Sequence, residues 1–278
     1  MIRIVSDTST LYSTTQAQEA GFEVSPLTVT IAGKTYREFD EISAEEFVDI
    51  IRQGHMPTSS QPAIGEVAEK YELYPDDQIL NIAMAHGLSG TYQSAVAAAE
   101  LSSHPDNITV INTRTLCGPH RYLVQVANKM VAEGCSKEEI VTKINELMDT
   151  AWSYLVPADY DYLRRGGRLS PMVSYVGKAA NLTPIMTQTE NGCRLTIAGI
   201  RRGFPPAVKF IASALEKHGV GDNWRIYISH AGALDKAELA LKHLKEAFPK
   251  AVLEILPLSP AFITQGGPGC VAVQVIKA

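Results

Sequence analysis

The sequence predicts an α/β protein of two domains: a parallel-sheet, Rossmann-like domain over residues 1–150 and an α+β domain over residues 151–278. Two observations favour this division. Short β-like runs alternate with helical patterns in the first half, which is typical of βαβ crossovers. In the second half, Asn191 and Gly192 stand between two alternating runs and predict a hairpin with a type I′ turn. Two facing domains leave a cleft, where ligands are expected to be buried.

The elements of the first half follow from hydrophobic periodicity. The predicted strands are RIVS, SPLTVTIAG, QILNIAMA and NITVINT. The predicted helices are SAEEFVDIIRQG, a segment from about Thr91, HRYLVQVANKMVAEG and SKEEIVTKINELMDT. The first and last of these helices begin with a capping box, formed by Ser43 with Glu46 and by Ser136 with Glu139.

The second half mixes a hairpin with helices, which fits an α+β domain better than a doubly wound sheet. The runs on either side of Asn191-Gly192 lie within TPIMTQTENGCRLTIAGI. After them, PPAVKFIASALEKHG and DKAELALKHLKEAF predict helices, and RIYISHA, AVLEILPLS and CVAVQVIKA predict strands. No low-complexity linker or internal repeat separates the two halves.

Composition narrows the class of protein. The chain has 278 residues, of which 45% are hydrophobic and 20% charged, as in ordinary globular proteins. Its net charge of −5, without a basic block, argues against a nucleic-acid partner. The four cysteines are far apart and form no CxxC pair, which favours reduced thiols over a metal site. The opening MIRIVSDTST is predicted to be a strand and no stretch is long enough to span a membrane, so a cytoplasmic protein is expected.

Four corners of small polar residues lie between the predicted elements: PTSSQP (57–62), GLSGTY (87–92), RRGGR (164–168) and TQGGPG (264–269). Prolines bracket the first corner, so the hydroxyls of Thr58, Ser59 and Ser60 are expected in a rigid loop, or in a Ser/Thr turn that leads into a helix at Ile64. The arginines of RRGGR, Arg168 among them, would contact an anion or an acidic partner, or remain solvated on a turn. TQGGPG is a corner where the backbone approaches a ligand closely, or an ordinary tight turn.

The GLSGTY corner lies where a strand ends and a helix begins, a place that favours an anion. Three kinds of ligand suit this corner: a phosphate, an acyl group attacked by Ser89, or a carboxylate held by the hydroxyl of Ser89 or Thr91. The corner lacks the Lys of a phosphate loop. Thr91 replaces the last Gly of a G-x-S-x-G elbow, and His86 has no evident carboxylate partner. A held carboxylate is favoured, with Thr91 capping the helix and Ser89 free. The alternative is a hydrolase or acyltransferase with Ser89 as nucleophile.

Taken together, the motifs resemble those of the DegV family, fatty-acid-binding proteins that include the FakB subunits of bacterial fatty acid kinase. The matching stretches follow the family's order nearly from end to end: IVSDTST, TSSQP, LSGTYQSA, YLRRGGRLS, PIM…NGCR and TQGGPG. The resemblance implies a long acyl chain, such as palmitate, buried non-covalently between two domains. It implies a lipid-binding protein that is not itself an enzyme, has no cofactor beyond its fatty acid, and presents the carboxylate to a separate kinase subunit.

The resemblance also assigns residues. Ser89 and Ser59 would hold the carboxylate, and Arg168 would lie near it and near the partner surface. Gln265 stands where the family commonly has a His close to the head group. A Gln is neutral and does not titrate, unlike His.

Overall fold

The computed structural model describes residues 1–173, 182–190 and 192–278. The strands are numbered in chain order: β1 (Ile2–Asp7), β2 (Glu23–Ser25), β3 (Thr28–Ile31), β4 (Lys34–Arg37), β5 (Thr58–Ser60), β6 (Gln78–Ala83), β7 (Ile108–Asn112), β8 (Trp152–Val156), β9 (Leu182–Gln188), β10 (Leu195–Arg202), β11 (Trp224–His230), β12 (Val252–Pro257) and β13 (Val271–Lys277).

The α-helices are numbered in the same way: α1 (Thr14–Glu19), α2 (Ala44–Arg52), α3 (Ile64–Glu72), α4 (Thr91–Leu101), α5 (Cys117–Ala132), α6 (Lys137–Met148), α7 (Tyr160–Gly166), α8 (Phe204–Lys217), α9 (Leu234–Ala247) and α10 (Pro260–Gly266). Both predicted capping boxes are confirmed: Ser43 and Ser136 each accept a hydrogen bond from the backbone of the Glu three residues on. Within the described ranges, no helix is long and apolar enough to cross a membrane.

A parallel sheet forms the centre of the first half. Its strand order is β2-β1-β6-β7, and each neighbouring pair is parallel. The two central strands have buried side chains on both faces from Ile4 and Ile79 onward, as expected when both faces of a sheet are covered. The predicted parallel sheet is therefore confirmed, and its carboxyl edge carries the GLSGTY corner.

A small antiparallel sheet, β4-β3-β5, corrects the prediction for PTSSQP. Thr58–Ser60 is a short strand and not a loop, since Ser59 pairs with Val29 of β3. Pro57 and Pro62 lie just outside it. Because proline cannot donate to the ladder, the two prolines are compatible with a strand of three residues between them.

The second half contains one mixed sheet of six strands, in the order β10-β9-β8-β13-β11-β12. Among the described strands of this sheet, β11 and β12 pair in parallel and the other neighbours pair antiparallel. The predicted hairpin of β9 and β10 is confirmed: the two strands pair antiparallel, and Leu195 lies opposite Gln188 near the turn. Its predicted type I′ turn includes Asn191, which lies outside the described residues. The division of the chain near residue 150 stays a prediction.

Helix α5 lies between the two large sheets, since it packs against β1 on one side and against β11 and β13 on the other. Gly118 allows this close approach. A Cβ at Gly118 would lie 2.1 Å from Cγ of Tyr227, a buried residue of β11. The edge of the parallel sheet and one face of the mixed sheet are thereby brought together near the start of α5.

Candidate ligand-binding site

An apolar cavity lies between the loop after β6 and the mixed sheet. Its empty volume is about 810 Å³, including the open space at its mouth. Leu155 of β8 and Ala272 of β13 are paired neighbours on its sheet side. Other apolar lining side chains come from several separate elements: Met84, Leu88, Leu116, Leu163, Met186, Leu195, Leu258 and Phe262.

A second, more polar cavity adjoins the first. It has an empty volume of about 680 Å³ and is lined by the side chains of Ser59, Ser89, Arg168 and Gln265. The two cavities have lining residues in common, Arg168 and Gln265 among them. The pair therefore provides an apolar compartment that leads to a compartment of hydroxyls, an amide and a guanidinium.

Ser89 and Thr91 are placed differently from the prediction. Thr91 is the first residue of α4 and is buried, and no side chain caps the helix from the N-cap position, Gly90. Instead, the hydroxyl of Ser89 accepts a hydrogen bond of 3.2 Å from the backbone N–H of Thr91 and lies 2.8 Å from the Thr91 hydroxyl. Thr91 thus supports Ser89, and Ser89 is the residue that faces the cavity.

Gln265 belongs to the last turn of α10, so TQGGPG begins within a helix and is not a loop throughout. Its amide Nε2 donates to the hydroxyl of Ser59, at 3.1 Å, which ties α10 to the small sheet. Gly166 makes room for this side chain, since a Cβ there would lie 2.1 Å from Oε1 of Gln265. The contact explains why position 166 in RRGGR requires a glycine.

Arg168 supplies the positive charge of the polar cavity. Its guanidinium donates to the backbone carbonyls of Leu88, at 3.1 Å, and Gly166. Burial, with a smaller contribution from the charge of Arg194, lowers the pKa of Arg168 below its usual value. Within the described part of the chain, no carboxylate pairs with Arg168. A half-buried cation without an anionic partner favours a site for an anion.

Four of the six predicted residues therefore meet in one cavity: Ser59, Ser89, Arg168 and Gln265. Thr58 is exposed and does not line it, whereas the next two residues of the strand, Ser59 and Ser60, do. Sequence analysis missed Gln61, which lines the polar cavity and donates to Ser94 at 2.7 Å. The lack of a side chain at Gly90 leaves the space for Gln61, a close approach that the SGT motif alone does not reveal.

The opening IVSDTST does not line either cavity but supports both. Asp7 accepts hydrogen bonds from the backbone of Ser9, at 2.9 Å, and of Met84, at 3.1 Å, and so positions the chain after β6. Thr8 donates to the buried carboxylate of Glu38, which also accepts from the backbone N–H of Ala261 in the first turn of α10, at 2.9 Å. This motif holds the elements that carry the site.

The geometry bears on the alternative of Ser89 as a nucleophile. The exposed His86 ring contacts the side chain of Gln93 and the ring of Tyr92. In the described ranges, the hydroxyl of Ser89 is hydrogen-bonded to Thr91 and not to His86. A Ser nucleophile requires a base within hydrogen-bond reach. The arrangement therefore favours Ser89 as a hydrogen-bond donor to a bound ligand over Ser89 as a nucleophile. Among the described residues, no group of three or more His, Cys, Asp or Glu is placed to hold a metal ion.

Comparisons with known proteins agree with this architecture. The family model described as "Uncharacterised protein, DegV family" matches residues 1–278. A DegV domain-containing protein of Caldanaerobacter subterraneus subsp. tengcongensis is 36% identical over 221 residues, which are 79% of this chain and 78% of that protein.

Two solved structures are similar over almost their whole length. A fatty-acid-binding DegV family protein from Thermus thermophilus is 28% identical, with a TM-score of 0.89, and covers 100% of this chain and 99% of its own. A fatty-acid-binding DegV family protein from Streptococcus agalactiae is 26% identical, with a TM-score of 0.88 and the same coverage.

Proposed function

Because this chain belongs to the DegV family, we propose that it binds a long-chain fatty acid non-covalently, with the tail in the apolar cavity and the carboxylate in the polar one. One observation carries the proposal: an apolar cavity adjoins a polar cavity, and Arg168 and Gln265 line both. An amphiphile with one anionic end and a long apolar tail is the ligand that fits such a pair of compartments.

The energetics of binding suit this division of roles. Burying a methylene group contributes about 0.8 kcal/mol, so a palmitate-length tail gains roughly 10 kcal/mol before ordering costs. A hydrogen bond to a charged group contributes about 1.5–3 kcal/mol. The tail therefore supplies most of the affinity. The hydroxyls of Ser59 and Ser89 and the guanidinium of Arg168 orient the head group and satisfy its charge.

Native mass spectrometry of the protein purified from a bacterial host tests the proposal. We expect a mass excess equal to a fatty acid, which disappears after organic extraction. A protein that carries no fatty acid and takes none up when palmitate is added would contradict the function. A mass excess that survives denaturation would be a covalent adduct and would favour the nucleophile alternative at Ser89.

Replacing Ser89 by Ala is expected to weaken palmitate binding about tenfold, because one hydrogen bond to the carboxylate is lost. The variant should remain folded, although losing the contact with Thr91 costs about 1 kcal/mol. Titration with palmitate measures the first effect and urea unfolding the second. Ser43→Ala is a matched control, since it removes a capping contact of α2 at a residue that lines neither cavity. An unchanged palmitate affinity in Ser89→Ala would refute the role of Ser89.

We further propose that the exposed face beside the polar cavity docks a separate fatty acid kinase subunit. Arg165 is exposed at the end of α7, three residues before Arg168, which faces the cavity. Arg165→Ala should therefore leave palmitate affinity unchanged and lower acyl-phosphate formation several-fold in a reconstituted system. Arg201→Ala, which removes an exposed arginine of β10, serves as the control. If replacing Arg165 and Arg168 together leaves acyl-phosphate formation intact, the docking proposal fails.

A further inference from the structure

Gln274 is a polar residue in the middle of the apolar strand β13. It is only 2% exposed, and it lines the apolar cavity together with Ala272 and Cys270, which lie at alternate positions on the same face. A buried amide in an apolar strand needs hydrogen-bond partners for its oxygen and its nitrogen.

The orientation of the Gln274 amide is fixed by its neighbours. Its Nε2 donates to the backbone carbonyl of Leu116, at 3.0 Å, and to the hydroxyl of Ser153, at 3.0 Å. A carbonyl accepts hydrogen bonds and cannot donate them, so the nitrogen must face Leu116. The oxygen Oε1 is consequently turned away from Leu116. Oε1 is buried and accepts no hydrogen bond from the residues that the structure describes.

Two unused groups lie close together at this point. Gln274 and Ser153 are directly paired on neighbouring strands, and both line the cavity. The Ser153 hydroxyl accepts from Gln274 and has no acceptor for its own proton within the described ranges. A hydroxyl group in the cavity would donate to Oε1 of Gln274 and accept from Ser153. A plain methylene chain would leave both groups unsatisfied.

The position along the cavity is far from the head group. Gly266 of α10, next to Gln265, lies against Cys270, where a Cβ on Gly266 would be 2.6 Å from the sulfur. Gln274 is four residues further along β13, about 13 Å at the usual rise of a strand. An extended chain advances about 1.2 Å per bond, so this distance corresponds to roughly ten bonds. The two polar groups therefore face the distal part of a chain of palmitate or stearate length.

We propose that Gln274, with Ser153, selects a fatty acid that carries a hydroxyl group in the distal part of its chain. The inference rests on the proposed function and adds to it the chemical class of the preferred ligand. A site that hydrogen-bonds a hydroxyl discriminates against the analogue without it, because its own buried polar groups are then left unpaired.

Competition binding with stearate, 12-hydroxystearate and 2-hydroxystearate tests the inference on the wild-type protein. We expect 12-hydroxystearate to bind about tenfold more tightly than stearate. The 2-hydroxy acid has the same polarity but places its hydroxyl beside the carboxylate, so it should show no such gain. Equal affinity for 12-hydroxystearate and stearate would overturn the inference and leave the proposed function standing. If none of the three acids binds, the proposed function itself fails.

Gln274→Leu provides the second readout. It should abolish the preference for 12-hydroxystearate and strengthen stearate binding, because the unpaired oxygen is gone. Gln188→Leu is the matched control, since Gln188 also lines the cavity but its amide donates to the backbone of Arg114. A preference that persists unchanged in Gln274→Leu would overturn the assignment of Gln274. The wild-type comparison of the three acids decides the inference even if this variant does not fold.

Discussion

Replacing Ala272 by Phe is expected to weaken palmitate binding at least a hundredfold. Ala272 lines the apolar cavity between the levels of Cys270 and Gln274, beside its strand partner Leu155. A phenyl ring at this position would occupy the path of the tail and exclude the methylene groups beyond it. Excluding six methylene groups removes roughly 5 kcal/mol of binding free energy, more than a thousandfold in Kd. Because the cavity can partly rearrange around the ring, we expect a loss in palmitate affinity of at least a hundredfold and not the full thousandfold.

Titration with palmitate and with octanoate checks this prediction. Octanoate extends only about two bonds past the level of Ala272, so it has few methylene groups to lose there and its weak binding should change much less than that of palmitate. Val252→Phe is the control, since it adds a similar ring at a half-exposed position of β12, away from the cavities. Overpacking costs Ala272→Phe about 1–3 kcal/mol of stability, so circular dichroism should confirm folding first. Undiminished palmitate affinity in a folded Ala272→Phe protein would place the tail elsewhere.

The polar end of the site could be predicted from the sequence because it is built from short polar motifs at the ends of regular elements. Ser59, Ser89, Arg168 and Gln265 lie in four separate motifs, and the structure brings them into one cavity. Such motifs interrupt the apolar periodicity, so they stand out in a single sequence. The sequence could not predict that Ser89 faces the cavity while Thr91 is buried and contacts Ser89, because either hydroxyl satisfies the same pattern at the start of a helix.

The apolar end could not be predicted in the same way. Leu155, Met186 and Ala272 are ordinary strand residues, and which of them face a cavity depends on how β8, β9 and β13 pair. That order, with β13 inserted between β8 and β11, joins strands far apart in the chain. One signal was available: Gln274 interrupts the apolar run CVAVQVIKA, and a polar residue in a buried strand indicates a requirement beyond packing.

The carboxyl group of Glu38 is expected to make the stability of the protein depend on pH. It is completely buried, and burial raises its pKa to about 7, although hydrogen bonds from Thr8 and the backbone of Ala261 oppose the shift. The folded state therefore binds this proton more tightly than the unfolded chain, where the pKa is near 4.5. The stabilising contribution is fully present below about pH 4.5 and is lost as the pH rises through 7.

Glu38→Gln should remove this dependence, because an amide does not titrate and retains an oxygen for the backbone of Ala261. A pKa difference between about 4.5 and 7 corresponds to about 3 kcal/mol. The wild-type free energy of unfolding should therefore fall by about 3 kcal/mol relative to that of Glu38→Gln between pH 4.5 and 8. Urea unfolding at the two pH values measures the difference.

Glu72→Gln is the matched control for Glu38→Gln. Hydrogen bonds from Ser102 and Ser103 lower the pKa of Glu72 to about 2, so this carboxylate is ionised in the folded state throughout the tested range. Glu72→Gln should keep most of the wild-type pH dependence, whereas Glu38→Gln should lose it. A wild-type slope that persists in Glu38→Gln would assign the pH dependence to another group. If the prediction holds, the cost of ionising Glu38 arises from its burial and not from its hydrogen bonds, because the backbone of Ala261 in α10 donates more strongly to the ionised carboxylate.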